Sequence, residues 1–552
     1  MLGLGLNLAY KYVNSIIDAV LGGDNPANAA ESDATAYLLI DGPLYNILGD
    51  PNSGFIGEQS WRSLAPSTIF NDKTSYSVGD ERVQWDGTFW KYFNVYSSRT
   101  WEQLGSSIDG EAEGDRSGYS VSMNAAGDRM VVGAPTNDGT SGTDRGSVRV
   151  YELTNGSWTQ LGEDIDGEAS GDWSGFSVDI NDVGNRVVIG AYLNDGTSGT
   201  NRGHVRIYQL VDGVWTKLGL DIDGEGSGDF SGWSVSMNAD GNRIAIGAIL
   251  NNSTLNFNDN GHVRIYEWNG SSWTQLGLDI DGVNSSESST VWEGANSGWS
   301  VSLNAVGDRV AIGAVYNDGI NGTNSGNVRI FQWNNSAWTQ LGQEIDGEAE
   351  DDNSGFSVSI NAAGNRVAIG TPYNDGVNGY DSRRGHVRIF QFDGTSWSQM
   401  GSDIDGRAEF DYSGWSVSLN ADGNRVAIGA TIYDVDGAGN SRPGGYVRIY
   451  EYIDGDWQKL DIDIEAESLG DENGFSVSLN ASGDRVAISA PYNDGVNGAD
   501  SGSVRVFEYT PVPISTSSDD VEWPWLATWT NGFSAAKVTP SYSKSTNYPA
   551  VP

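Results

Sequence analysis

The five residues WEQLG (101–105) look like the end of a phrase whose beginning is missing. Further along, the same words close a longer unit: GSVRVYELTNG (146–156) runs into SWTQLG (157–162), and GHVRIYQLVDG (203–213) runs into VWTKLG (214–219). Comparing the chain with itself yields seven copies of one phrase, such as SGYSVSMNAAGDRMVVGAP (117–135) and SGFSVSINAAGNRVAIGTP (354–372). The turn glycine recurs at Gly127, Gly184, Gly241, Gly307, Gly364, Gly423 and Gly483, in steps of 57, 57, 66, 57, 59 and 60 residues. Each unit holds four period-2 runs separated by turn residues: A (SVSMN), B (RMVVGA), C (SVRVYEL) and D (SWTQLG). Val148 and Val150 alternate with Arg149, which predicts a C strand with one apolar face toward the core.

Four short strands repeated seven times predict an all-β chain, a seven-bladed β-propeller in which each sheet buries its faces against its neighbours. The array ends with a C strand, GSVRVFEY (502–509), followed by Pro511 and Pro513, which cannot donate to a ladder. Seven D strands exist only if WEQLG completes the last blade. The N-terminal strand is therefore expected to close the ring and remove its open edges. Residues 101–510 form the propeller, and 1–100 and 511–552 are small anchoring segments leaving from one side of the disc, with a β module near 70–95.

The phrases GYSVSMN, VVGAP, NDGTSGTDRGSVRVYE and SWTQLG resemble FG-GAP-type repeats, the units of the integrin α-subunit propeller and of many bacterial and viral surface proteins. The resemblance covers residues 101–510. It departs at one point: calcium-binding members carry DxDxDG between strands A and B, where this chain has the tight turn NAAGDR (124–129), so that calcium site does not carry over.

Composition narrows the function. A formal net charge of -43 leaves no basic surface for phosphate and argues against nucleic acid. No apolar run is long enough to span a membrane. With no cysteine there is neither a thiolate metal site nor a Cys nucleophile. The start, MLGLGLNLAYKYVNSIIDAVLGG, places Lys11 after the first apolar residues and Asp18 inside the second run, unlike an export signal.

Strand order puts the D-to-A and B-to-C loops on one face, including IDGEAEGDRSG (108–118) and NDGTSGTDRG (137–146). Asp138 with Asp144, Asp375 with Asp381 and Asp494 with Asp500 offer the oxygens a calcium ion prefers. Asn-Asp-Gly also simply makes turns. No other cofactor is suggested. The same face carries Trp173, Phe230 and Tyr412 before the Ser-Gly step, and Tyr192, Tyr316, Tyr373 and Tyr433 after strand B. Aromatic rings among Asp and Asn side chains suit stacking on sugars. Trp292 lies in the one lengthened loop, IDGVNSSESSTVWEGANSG (280–298).

Other conspicuous residues read as structural. The aromatics Tyr119, Phe176, Trp233, Trp299, Phe356, Trp415 and Phe475 share one repeat position, as do the strand-C arginines from Arg149 to Arg505, and His204, His262 and His386 all precede the Val-Arg of strand C. A residue repeated around a ring is a poor unique general base, and no catalytic set stands out. No enzymatic activity is expected.

YSVGDERVQWDGTFW (76–90) resembles small chitin-binding-like modules of phage fibres and glycosidases, and MLGLGLNLAY resembles the starts of some tailed-phage structural proteins. These resemblances imply a virion surface protein, a fibre or capsid decoration, held to other virion proteins by residues 1–100 and 511–552 and displaying the propeller to a host-surface glycan or receptor. An oligomeric assembly is expected. The alternatives are an extracellular or cell-surface adhesion protein with an integrin-like propeller, and a glycan-processing propeller.

Overall fold

The A-to-B turn shows how the sequence builds each blade. Asn124 ends strand A, and its Oδ1 accepts the backbone N–H groups of Asp128 (3.1 Å) and Arg129 (2.9 Å) across a turn in which Gly127 has φ +66°. That left-handed conformation favours glycine, and all seven units repeat the arrangement, down to Asn480, Asp484, Arg485 and Gly483.

The computed structural model describes residues 75–78, 81–85, 90–94, 99–511 without 140–141, 253–259, 284–293, 377–381 and 432–443, and 521–522. Its described residues are all-β: seven blades surround one axis, numbered here by their A strands at Ser120–Met123, Ser177–Ile180, Ser231–Met237, Ser297–Leu303, Ser357–Ile360, Ser413–Leu419 and Val477–Leu479. Each sheet has five strands, one more than the sequence periodicity suggests. After strand D the chain bends at a glycine such as Gly162 (φ +82°) and returns to the edge of strand C as a two-residue strand, Ile165–Asp166. Two residues are too few to register as an alternating run.

Strand C is buried on both sides, not one. Val148 and Val150 lie in one interblade core, while Arg149, 7% exposed, lies across the Tyr151 ring at 5.8 Å and donates to Ser117 Oγ at 3.3 Å. Blade stacking covers both faces. The hydrophobic clusters accordingly straddle blades: Val131, Val148 and Val150 of the first pack with Val178, Ile180 and Ile189 of the second. At the axis, Gly133 of strand B faces the carbonyl of Gly175 in the next blade so closely that a Cβ would overlap it; six blades keep this glycine and the seventh has Ser489.

The ring closes as expected. Arg99–Gln103 supplies strand D of the seventh blade, beside Ser503–Pro511. Leu104 N–H donates to Val506 O (2.7 Å) and Gly110 N–H to Gly502 O (2.8 Å). The D-strand tryptophans bind blade to blade: Trp158 Nε1 donates to Leu104 O at 2.9 Å, and the contact recurs as far as Trp457 on Met400 O at 2.8 Å.

Thr100–Thr510 is one unit; Met1–Arg99 with Pro511–Pro552 is the other. In the latter, Ser75–Val78, Glu81–Trp85 and Trp90–Asn94 form an antiparallel meander, within the β module expected near 70–95. Val521–Glu522 adds a fourth strand through Lys91↔Glu522 and Tyr92↔Val521, so segments from both tails share one sheet. Among the described residues no helix is long and apolar enough to cross a membrane.

Candidate functional site

The seven aromatics that share one repeat position meet at the axis. Tyr119, Phe176, Trp233, Trp299, Phe356, Trp415 and Phe475 form a closed ring of half-buried side chains, with neighbouring centroids 4.6 to 5.7 Å apart. These tilted contacts are favourable aromatic geometries. The residues do pack blade to blade, as expected, but they also floor an axial bowl of about 1300 Å³. Position in a ring decides this: symmetry-related residues near the axis converge on one cavity.

A second tier forms the wall. Tyr192, Tyr316, Tyr373 and Trp173 line the bowl, with Glu350, Asp351, Asn353, Asp375 and Arg383 among them. Tyr192 meets Phe230 edge-on at 5.3 Å and Trp173 at 6.0 Å. Tyr412 is nearly buried, stacked edge-on against Tyr373 at 5.6 Å with Arg383 Nη1 donating to its hydroxyl at 3.4 Å. Thus four of the candidate aromatics line the cavity, and Phe230 and Tyr412 buttress that wall. Trp292 and Tyr433 lie outside the described residues.

The residue before the Ser-Gly step, which is Asn-Gly in the seventh blade, has an uncommon backbone conformation. Arg116, Trp173, Phe230, Asn296, Asn353, Tyr412 and Glu472 all have positive φ, between 52° and 58°. Bulky residues rarely adopt this conformation, and such strain concentrates at functional sites. The structure holds it by pinning the N–H groups to the preceding blade's B-to-C loop: Trp173 to Asp144 O (3.3 Å), Tyr412 to Arg383 O (3.2 Å) and Arg116 to Asp500 O (3.1 Å). Sequence reading singled out only the aromatic members; alignment of the seven phrases carries the signal for Arg116, Asn353 and Glu472 as well.

The loop aspartates act as turn caps. Asp138 Oδ1 accepts the Asp144 N–H (3.0 Å), Asp494 Oδ1 that of Asp500 (3.0 Å), and Asp375 Oδ1 that of Arg383 (3.1 Å). Asp381 lies outside the described residues. A further set of acids is buried: Asp115 accepts from Asn137 Nδ2 and from the Ala112 N–H, both at 2.9 Å, tying the D-to-A loop to the B-to-C loop. The same lock recurs at Asp172, Asp229, Asp352 and Asp471, so part of the acidic composition is structural.

Burial of the three histidines lowers their pKa to about 4, leaving the imidazoles neutral at pH 7. Glu472 shifts the other way. Burial pushes its carboxyl up to about 7, with Arg116 lowering it and Asp500 raising it. An acid raised in the folded state binds its proton more tightly there than in the unfolded chain. Its stabilising contribution is complete below the ordinary value of 4.5 and is lost as pH rises through 7. Glu472→Gln is expected to flatten that part of the stability profile and to raise stability at pH 8 by about 1–3 kcal/mol; denaturant titrations of both proteins across pH 4.5 to 8 measure it. Equal slopes would assign the pH dependence elsewhere.

Comparison with known proteins adds one family. Residues 108–151, from the two-residue strand before the first blade through strand B into strand C, match the FG-GAP repeat family. No curated protein matches the chain. With that repeat present in seven in-register copies around a closed ring, Thr100–Thr510 is an FG-GAP-type seven-bladed β-propeller.

Proposed function

We propose that this protein is a non-enzymatic attachment protein whose axial bowl binds a cell-surface carbohydrate. The observation that carries this reading is the closed ring of seven aromatics beneath a wall of tyrosines, Asp, Asn and Arg. Such a cavity offers apolar faces for sugar rings and, among them, donors and acceptors for hydroxyls. Calcium at the loop aspartates is an accessory proposal; the hydrogen bonds in hand require no metal.

The mounting is proposed to be the virion of a tailed phage, through the two tails. The fibre-module resemblance of residues 76–90 and the sheet shared by both tails support it. A secreted or cell-surface adhesion protein is the alternative, favoured by the FG-GAP repeat itself. Cross-linking mass spectrometry on native source material separates them: links from the tails to capsid, portal or tail proteins support the first, links only to envelope or matrix components the second.

Binding is tested on the full chain by tryptophan fluorescence during titration with a panel of neutral, acidic and amino-sugar oligosaccharides. One class is expected to perturb the emission, and Trp299→Phe to weaken its binding by about threefold to tenfold. Phenylalanine already occupies this position in other blades, so the variant retains the ring's packing. No response to any class, with no turnover of labelled glycans, would reject the carbohydrate reading. Turnover would make the protein an enzyme.

A further inference from the structure

Three blades bring an imidazole and two carboxylates together away from the axial bowl. Strand C begins with histidine in the second, third and fifth blades, and His204, His262 and His386 are each no more than 2% exposed. Each meets a Glu from the loop entering its blade and an Asp from the bend after strand D: Glu168 and Asp221, Glu225 and Asp279, and Glu348 and Asp403, with one ligand atom of each residue within 4.8 Å of the others. His262 Nδ1 points at Asp279 Oδ2 from 3.9 Å, and His386 Nδ1 at Glu348 Oε2 from 3.8 Å, beyond hydrogen-bond reach. Their Nε2 atoms are buried without a hydrogen-bond partner.

Two of the blades without histidine fill the same positions differently. In the sixth, Arg407 stands where Glu348 would be and Tyr446 where His386 would be; Arg407 Nη1 lies 3.2 Å from Asp463, which corresponds to Asp403. With Arg448 at 3.1 Å and Lys459 at 2.6 Å, covalently attached cations thus supply that acid's partners. In the fourth, Asn327 Nδ2 donates to Glu344 at 3.1 Å. In the second, Lys217 Nζ lies 2.9 Å from Asp221 and 3.8 Å from Glu168, partly filling that role. The third and fifth have glutamine at the lysine's place: Gln275 and Gln399 each donate to only one oxygen of Asp279 and Asp403, both at 2.6 Å. The arginines take one oxygen of each Glu, 3.8 Å at Glu225 and 3.5 Å at Glu348.

We propose that Glu225, His262 and Asp279, and likewise Glu348, His386 and Asp403, each bind a divalent transition-metal ion of the zinc type through one imidazole nitrogen and two carboxylate oxygens, with Glu168, His204 and Asp221 as a weaker third site. Neutral imidazole plus carboxylate suits zinc and its neighbours rather than calcium, which takes oxygen ligands only. The Nδ1-to-oxygen separations of 3.8 and 3.9 Å need close only slightly, to the roughly 3.3 Å edge of a tetrahedron with zinc-length bonds. The carboxylates are the exposed members, Glu225 at 48% and Asp279 at 32%, and provide the entry path. The Lys217 ammonium is expected to weaken the third site by about fivefold or more through repulsion.

The chain has no cysteine and only three histidines, which makes the test direct. The full-length protein is dialysed against zinc chloride and its bound metal measured, with cobalt as an optical probe and imidazole NMR signals as a second readout. Two tight equivalents and one weaker are expected, resistant to excess calcium, with all three imidazole signals moving. His262→Asn and His386→Asn should each remove one tight equivalent; asparagine is native at this position in the fourth blade, as Asn327, so the fold tolerates it. Lys217→Gln should tighten the third site. Unmoved imidazole signals, or uptake unchanged in the double variant, would overturn the assignment and leave only nonspecific carboxylate binding.

Discussion

Replacing Trp101 with alanine is expected to destabilise the propeller by about 3–5 kcal/mol, the usual cost of deleting a buried tryptophan. Trp101 is 8% exposed and lies in a cluster that joins Val447 and Ile449 of the sixth blade to Val477, Val486 and Phe507 of the seventh. Its ring sits 5.0 Å from Tyr509, and its backbone N–H donates to Asp461 Oδ2 at 3.0 Å. This residue is the anchor of the strand that closes the ring. Its loss therefore acts on two interfaces at once, because the seventh blade also packs on the first through Val504, Val506, Val121 and Met130. Denaturant unfolding monitored by far-ultraviolet circular dichroism measures the effect. A loss below about 1 kcal/mol would mean that the strand contributes little to closure.

The second large effect is expected at the axis. Gly370→Ala places a Cβ against the carbonyl of Gly414 and the hydroxyl of Ser357, and backbone cannot yield as a flexible side chain does. A cost of about 3 kcal/mol or more is expected in the same unfolding assay. Ser489 supplies the contrast. It replaces this glycine in the seventh blade, where its Oγ accepts the Ser476 N–H at 2.9 Å, so Ser489→Ala should cost only about 1 kcal/mol. Similar losses for the two variants would show that the close approach of neighbouring blades is not what selects glycine.

Much of this architecture is legible in the sequence because one phrase is written seven times. Seven weak alternating patterns in register make the blade and its copy number plain, and the displaced WEQLG shows how the ring shuts. The two-residue strand Ile108–Asp109 escapes such reading, since its pairing with Ser503 and Val504 is set by the bend before it, not by any pattern of its own. The site is legible only in part. Variable residues such as Trp173 point to the loop face that borders the cavity, but Trp233 and Trp299 keep an aromatic position shared by every blade and so look like ordinary packing. In a closed ring that inference is incomplete, because equivalent positions beside the axis border one shared cavity. The cross-locks of Asp115 and its equivalents were equally hidden: composition counts their charge but not their burial.

Closure by a strand from the opposite end of the array also has a mechanical side. Strands 99–103 and 503–511 run side by side in opposite directions, as the contacts of Leu104 with Val506 and Gly110 with Gly502 show. Thr100 and Thr510 therefore emerge at the same end of one ladder. Tension that drew these ends apart would peel the ladder open one hydrogen bond at a time, the weakest way to load a sheet. Tension applied to both together would instead shear the seventh blade against its neighbours, with many contacts resisting at once. Within the other unit, the pairing of Lys91 with Glu522 and Tyr92 with Val521 joins segments from both tails in one sheet, so the two chain ends that flank the propeller are themselves paired.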